Sequence, residues 1–209
     1  MIAGIDEAGR GPLAGPVVAA AVILPPRHGI RGIDDSKVLD AVTRQRLALV
    51  IRQRCVAFGI GWAEPAEIDA LNILQATLLA MRRALLAMPV RALELRVDGD
   101  YLPAIDGLGV MRARAIIGGD ARERCIGAAS ILAKTVRDAY MDQMHSIYPS
   151  YCFSDHKGYA TPLHRQALEE HGPCALHRRS FAPVREALVR EPKARNPMAQ
   201  DSMGLQSRA

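Results

Sequence analysis

At 209 residues, with 49% hydrophobic and 23% charged side chains, the chain is long enough for one sizeable core and too apolar for a disordered polymer. Its four cysteines, at 55, 125, 152 and 174, include no C-x-x-C pair, so they read as reduced thiols rather than as a disulfide framework. The formal charge of +5 favours a polyanionic partner, and more of that excess falls in residues 151–209 than in 1–150.

The first element is a strand near 2–6, followed by "DEAGRGPLAG". Two adjacent carboxylates, Asp6 and Glu7, end the apolar run. A buried unpaired carboxylate is costly, so these two call for a cation or a site of their own. Successive strand residues face opposite ways, so both can serve one site only where the strand ends or bends. Gly9, Gly11 and Pro12 supply a bend there, and the glycines let a ligand approach bare backbone N–H groups beside Arg10. "VVAAAVIL" is a second strand, apolar throughout and therefore buried on both faces. No basic leader precedes the first apolar run, and "VVAAAVIL" is far short of the roughly 20 residues a membrane span needs. A cytoplasmic protein without membrane association is expected.

A loop through "DDSKVLD" leads into an amphipathic helix over about 40–54, and "CVAFGIGWA" is a third strand. "EPAEIDALNILQATLLAMRRALLAM" is predicted as one long helix, with Ile68, Leu71, Leu74, Leu78 and Met81 on its buried face. "ALELRV" is a fourth strand ending at Asp98, and "RAII" is a short fifth. "GGD" then opens the helix "ARERCIGAASILAKTVRDAYMDQM", with Asp120 at its N-cap. This is an α/β pattern. Beyond about 149, short helical pieces joined by Pro, Gly and His form a compact appendage over 150–188, and 189–209 reads as a disordered tail.

Asp6, Glu7, Asp98 and Asp120 all fall at strand ends or at a helix start. Gathered at one edge of a sheet, they suit hard divalent cations such as Mg2+, a pair of which can clamp the attacking and leaving oxygens of a phosphoryl transfer. Aspartate beside glycine is also common as a simple turn or cap residue. Ser130 and Lys134 stand four apart on one helix face, where they could contact a phosphate or be simply a core serine and an exposed lysine. Cys152 with His156, and Cys174 with His177, are off the usual zinc-finger spacing, and the neighbouring Lys157, Arg178 and Arg179 point to phosphate contact instead. A catalytically silent nucleic-acid-binding module and a zinc-stabilised RNA-binding protein remain as rival readings of these residues.

The blocks "GIDEAGRGPLAGPVVAAAVIL", "DSKVL", "EIDALNILQATLLAM", "VDGD", "GGDARERCIGAASILAKTVRDAYM", "YPSYCFSDHKGYATPLHRQAL" and "HRRSFAPV" resemble, in order and spacing, those of bacterial ribonuclease HII over about residues 2–187. The resemblance implies a ribonuclease H-like mixed sheet flanked by helices, with a catalytic core over 1–149 and a small helical region that helps hold a duplex. It implies an endonuclease that hydrolyses the RNA strand of RNA–DNA hybrids and cuts 5′ of a ribonucleotide embedded in DNA. Catalysis would use Mn2+ or Mg2+, two ions once substrate is bound, held by Asp6, Glu7, Asp98 and Asp120. Gly9, Arg10 and Gly11 would read the ribose 2′-OH with Tyr159, while Ser130 and Lys134 sit in the family's phosphate-contacting helix and Lys37 in its "DSK" segment, all three as substrate-binding residues. A monomer is expected, and whether the tail touches a replication clamp is left open. The chain departs from the family pattern at Gly118, where lysine is usual, at Asp100, where asparagine is usual, and at Cys152 and Ala160, where glycine is usual.

Overall fold

A computed structural model describes residues 1–33, 36 and 38–189. Lys37 and the tail expected beyond 189 lie outside the described residues, apart from Val189 itself. Five strands form one mixed sheet: β1 (Ile2–Ala8), β2 (Val17–Ile23), β3 (Ala57–Ala63), β4 (Glu94–Asp98) and β5 (Arg112–Ile116), in the order β3-β2-β1-β4-β5. The pairs β1–β2 and β2–β3 are antiparallel, and β1–β4 and β4–β5 are parallel. β2 is buried along its whole length because helices cover both faces of the sheet, as its unbroken apolar run requires.

α1 (Ala41–Arg54) is capped by Asp40, whose carboxylate accepts the Thr43 N–H at 2.9 Å. The stretch expected as one long helix is two, α2 (Pro65–Leu71) and α3 (Ile73–Leu86), divided at Asn72. Asn72 takes a positive φ of 73°, and its side chain caps α3 through the Leu74 and Gln75 N–H groups. The break also changes the buried face: Leu71 is exposed, and Ala76, Ala80, Met81, Ala84 and Leu85 are buried. A small-residue stripe lets α3 lie directly on β3.

The helix expected from Asp120 is likewise two, α4 (Gly119–Arg122) and α5 (Arg124–Ile147). Left-handed Gly118, φ 64°, caps α4, so Asp120 sits inside its first turn and not at the cap. α5 presses on β1 so closely that a Cβ on Gly4 would stand 2.1 Å from the Cys125 carbonyl carbon. Beyond α5 come a 3-10 turn (Pro149–Tyr151), α6 (Phe153–His156), α7 (Pro162–His171) and α8 (Ala182–Val189). Their own small core, Tyr151, Phe153, Ala167 and Leu176, joins Ala14 and Met141 of the larger body. Among the described residues all four cysteines are free thiols, and no helix is long and apolar enough to cross a membrane.

Candidate active site

Parallel pairing sets the site. Ile5 stands opposite Val97, so the next residues, Asp6 and Asp98, emerge side by side where β1 and β4 reach the same edge. Ile5 and Val97 point into the core under α3, and alternation sends Asp6 and Asp98 to the face covered by α5. β5 ends beside them and feeds the Gly118 turn, which carries Asp120 to the same place. One carboxylate oxygen from each of Asp6, Asp98 and Asp120 lies within 4.8 Å of the others. The Gly119 N–H donates to Asp98 Oδ1 at 2.7 Å, the Glu7 N–H to Asp6 Oδ1 at 2.7 Å, and the Ala121 N–H to Asp120 Oδ1 at 3.0 Å.

Burial, then the Glu7 and Asp98 charges, push the Asp6 carboxyl well above the usual carboxylate range. Hydrogen bonds from the Ser130 side chain and the Glu7 N–H oppose that rise. A cluster of hard oxygen donors that repel one another when ionised fits a divalent cation of the Mg2+ or Mn2+ class. β1 does not stop at Asp6 but runs through Ala8, with the bend at Gly9. Glu7 therefore starts from the opposite strand face and stands outside the three-carboxylate group. It lines the same pocket, paired with Arg10 at 3.6 Å.

The pocket is walled by Asp6, Glu7, Gly9, Arg10, Gly11, Ser36, Asp98, Lys134 and Tyr159. The Gly9 and Arg10 carbonyls are turned inward and accept from the buried Arg178 guanidinium at 2.5 and 2.9 Å. In a trans peptide the next N–H points the other way, so the Arg10 and Gly11 amides turn away from Arg178, and neither donates to another described residue. The two glycines are required for different reasons. Gly9 has φ 97°, and a Cβ there would lie 2.0 Å from Arg137 Nε. Gly11 has no such constraint: a Cβ would meet only Tyr159 Cε1, at 3.8 Å.

Tyr159 forms the facing wall, half-exposed, with Lys134 Nζ 5.7 Å and Arg137 Cζ 5.9 Å from its ring centre. Lys134 reaches the pocket while paired with Asp138 at 2.7 Å. Ser130 is buried beneath the pocket, its Oγ 2.8 Å from Ser36 Oγ. Lys157 and Arg178, expected at phosphates, are engaged elsewhere: Lys157 Nζ with Asp142 and the Ser154 carbonyl, Arg178 with backbone carbonyls. Among the described residues the one group of three or more Cys, His, Asp or Glu placed to hold a metal is Asp6, Asp98 and Asp120, so Cys152, His156, Cys174 and His177 form no such group. His177 instead accepts the Cys174 N–H at Nδ1, 3.0 Å, and bonds His164 through Nε2. Ser36, Arg137, Arg178, His164 and His177 carry roles that sequence reasoning missed. All five lie within the blocks that carry the family resemblance, His177 and Arg178 opening "HRRSF", but nothing local in the sequence assigns them these partners.

The ribonuclease HII family model matches residues 3–184. A ribonuclease HII of Maricaulis maris (strain MCS10) is 58% identical over 187 residues, which are 90% of this chain and 84% of that protein. The crystal structure of ribonuclease H2 from Pyrococcus horikoshii OT3 superposes with a TM-score of 0.76 at 26% identity, covering 89% of this chain and 96% of that one. Ribonuclease HII from Archaeoglobus fulgidus, solved in complex with PCNA, superposes with a TM-score of 0.65 at 26% identity over 86% of this chain and 93% of that one.

Proposed function

Because the chain belongs to the ribonuclease HII family and is a ribonuclease H-type endonuclease, we propose that its Asp6, Glu7, Asp98 and Asp120 form the catalytic centre that cuts on the 5′ side of a ribonucleotide. The observation that carries this is the convergence of Asp6, Asp98 and Asp120 within 4.8 Å at the floor of the pocket walled by Gly9–Gly11 and Tyr159. Cleavage there breaks the bond between phosphorus and the preceding 3′ oxygen, leaving a 3′-OH and a 5′-phosphate. Asp6, Asp98 and Asp120 would hold Mg2+ or Mn2+, with Glu7 joining when substrate is present. Such ions supply a nucleophile from bound water and neutralise charge developing on the phosphate.

The chain's own residues select the substrate. The outward amides of Arg10 and Gly11 are placed to meet a 2′-OH, and a site built around a hydroxyl rejects a sugar that lacks it because its polar groups are left unpaired. The Tyr159 ring, facing Gly11, packs against the adjoining sugar. Lys134 supplies charge at the pocket rim, and Ser130 holds Asp6 in place from below. Residues 1–149 act as the catalytic core and 150–188 as the duplex-gripping appendage of a cytoplasmic monomer. The PCNA-bound Archaeoglobus protein makes a sliding-clamp contact a reasonable function for the tail, which lies outside the described residues.

The test is cleavage by metal-stripped protein. Hydrolysis of an RNA–DNA hybrid should require added Mg2+ or Mn2+ and spare an all-DNA duplex. Activity in excess chelator would sink the proposal.

A further inference from the structure

His177 and Arg178 are neighbours in the turn between α7 and α8, both buried, and neither lines the pocket. Arg178 donates from Nε to Gly15 O at 2.9 Å, from Nη1 to Arg10 O at 2.9 Å and from Nη2 to Gly9 O at 2.5 Å. Its backbone N–H donates to Leu13 O at 2.9 Å. The neighbouring buried Arg137 likewise bonds only to carbonyls among the described residues, reaching Pro16 O, Ala14 O and Lys157 O at 3.0, 3.1 and 3.0 Å. Burying a guanidinium without a carboxylate is costly, and it persists only where several fixed acceptors replace water.

His177 works in the other direction. A carbonyl can only accept, so His164 Nδ1, 2.9 Å from Tyr159 O, carries a proton and donates it. His164 Nε2 is then bare and accepts from His177 Nε2 at 3.0 Å. His177 Nδ1 is left as an acceptor for the Cys174 N–H. Each bond fixes the next tautomer, and the chain ends on the backbone of Tyr159. Burial lowers the His164 and His177 pKa values to about 4 and about 3, which keeps the relay neutral at ordinary pH.

We propose that the His177–Arg178 dipeptide is a clasp that sets the spacing of the two pocket walls, Arg178 as positioning residue for Gly9–Arg10 and His177, through His164, as positioning residue for Tyr159. This rests on the proposed ribose-reading role of those walls. The clasp would let one segment of the appendage align both sides of the pocket, so that the duplex-gripping region and the ribose-reading region move together.

Paired variants separate positioning from folding. His164→Asn keeps a donor where Nδ1 stands, and His164→Gln moves the amide away from Tyr159 O. Single-turnover cleavage of a duplex with one ribonucleotide is expected to fall about tenfold in His164→Gln and in Arg178→Lys, with duplex affinity measured in chelator held within about twofold. His164→Asn should recover to within about threefold of wild type. In a Tyr159→Ala background, His164→Gln should cost less than about twofold, because the wall it aligns is gone. Wild-type rates in His164→Gln and Arg178→Lys would overturn the clasp. So would equal losses in both His164 variants that track melting temperature and persist in the Tyr159→Ala background, the mark of a purely structural role. If Gly11→Ala and Tyr159→Ala themselves cleave normally, the ribose-reading assignment fails and the clasp fails with it.

Discussion

Asp98 Oδ1 accepts the Gly119 N–H at 2.7 Å, so the end of β4 is pinned to the turn that carries Asp120. Two of the three clustered carboxylates are thereby held at a fixed separation by one backbone hydrogen bond. Asp98→Asn is isosteric and its side-chain oxygen can still accept that bond. The variant should lose more than about a hundredfold in cleavage while binding duplex as wild type does. Asp120→Asn should behave alike. Gel-resolved cleavage rates at saturating Mg2+ or Mn2+, beside anisotropy binding curves in chelator, check both, and near-normal rates would remove these residues from the centre.

Gly9 and Gly11 should respond differently to alanine. Gly9→Ala adds a Cβ 2.0 Å from Arg137 Nε at φ 97° and should destabilise the fold by about 2 kcal/mol or more, a fall of roughly 5 °C in Tm. Gly11→Ala places its methyl in ordinary contact with Tyr159, so Tm should hold while cleavage falls by crowding the ribose. Melting curves and rates for the two variants decide this, and equal Tm losses would contradict it.

Tyr159→Ala should reduce cutting at a single embedded ribonucleotide more than cutting of a long hybrid, because only the former offers one productive register. Rates on the two substrates give the answer. Equal losses would make Tyr159 a general contact.

The buried histidines set a pH dependence of stability. His164 and His177 titrate near 4 and 3 when folded, below the ordinary histidine value of 6.5, chiefly through burial. Between the unfolded and folded values the unfolded chain binds more protons, so each contributes stability that is full above about pH 6.5 and is lost as pH falls through about 4 for His164 and about 3 for His177. The Asp6 carboxyl, raised by burial and by its acidic neighbours, acts in the opposite direction. Comparison with His177→Asn isolates the histidine contribution. Urea unfolding between pH 6 and 4.5 should show a slope smaller in the variant by up to about 1.4 kcal/mol per pH unit. Identical slopes would refute the neutral relay.

The strands and the acidic edge were legible because their signals are local. β2 reads as a buried strand from its own apolar run, and Asp98 and Asp120 stand out beside glycines at element ends. The helix breaks at Asn72 and Glu123 were not legible, since helical periodicity continues through both and only the positive φ of Asn72 or the extended Glu123 reveals the division. Asp120 looked like a cap because aspartate favours that position, yet left-handed Gly118 takes it. Arg178 was misread most completely. Arginine is rarely buried without an acidic partner, and its acceptors, Gly9, Arg10 and Gly15, lie more than 160 residues away in the chain. No local pattern carries that information.

The most direct measurement is to map the cut in a duplex that is DNA except for one ribonucleotide, at nucleotide resolution, and to identify the ends. Cleavage should fall only at the phosphate 5′ of the ribonucleotide, leaving a 3′-OH upstream and a 5′-phosphate on the ribonucleotide, and it should vanish when that residue is 2′-deoxy. A cut on the 3′ side, a 2′,3′-cyclic phosphate, or equal cutting of the all-deoxy duplex would contradict a centre in which Asp6, Asp98 and Asp120 act beneath a wall that reads the 2′-OH.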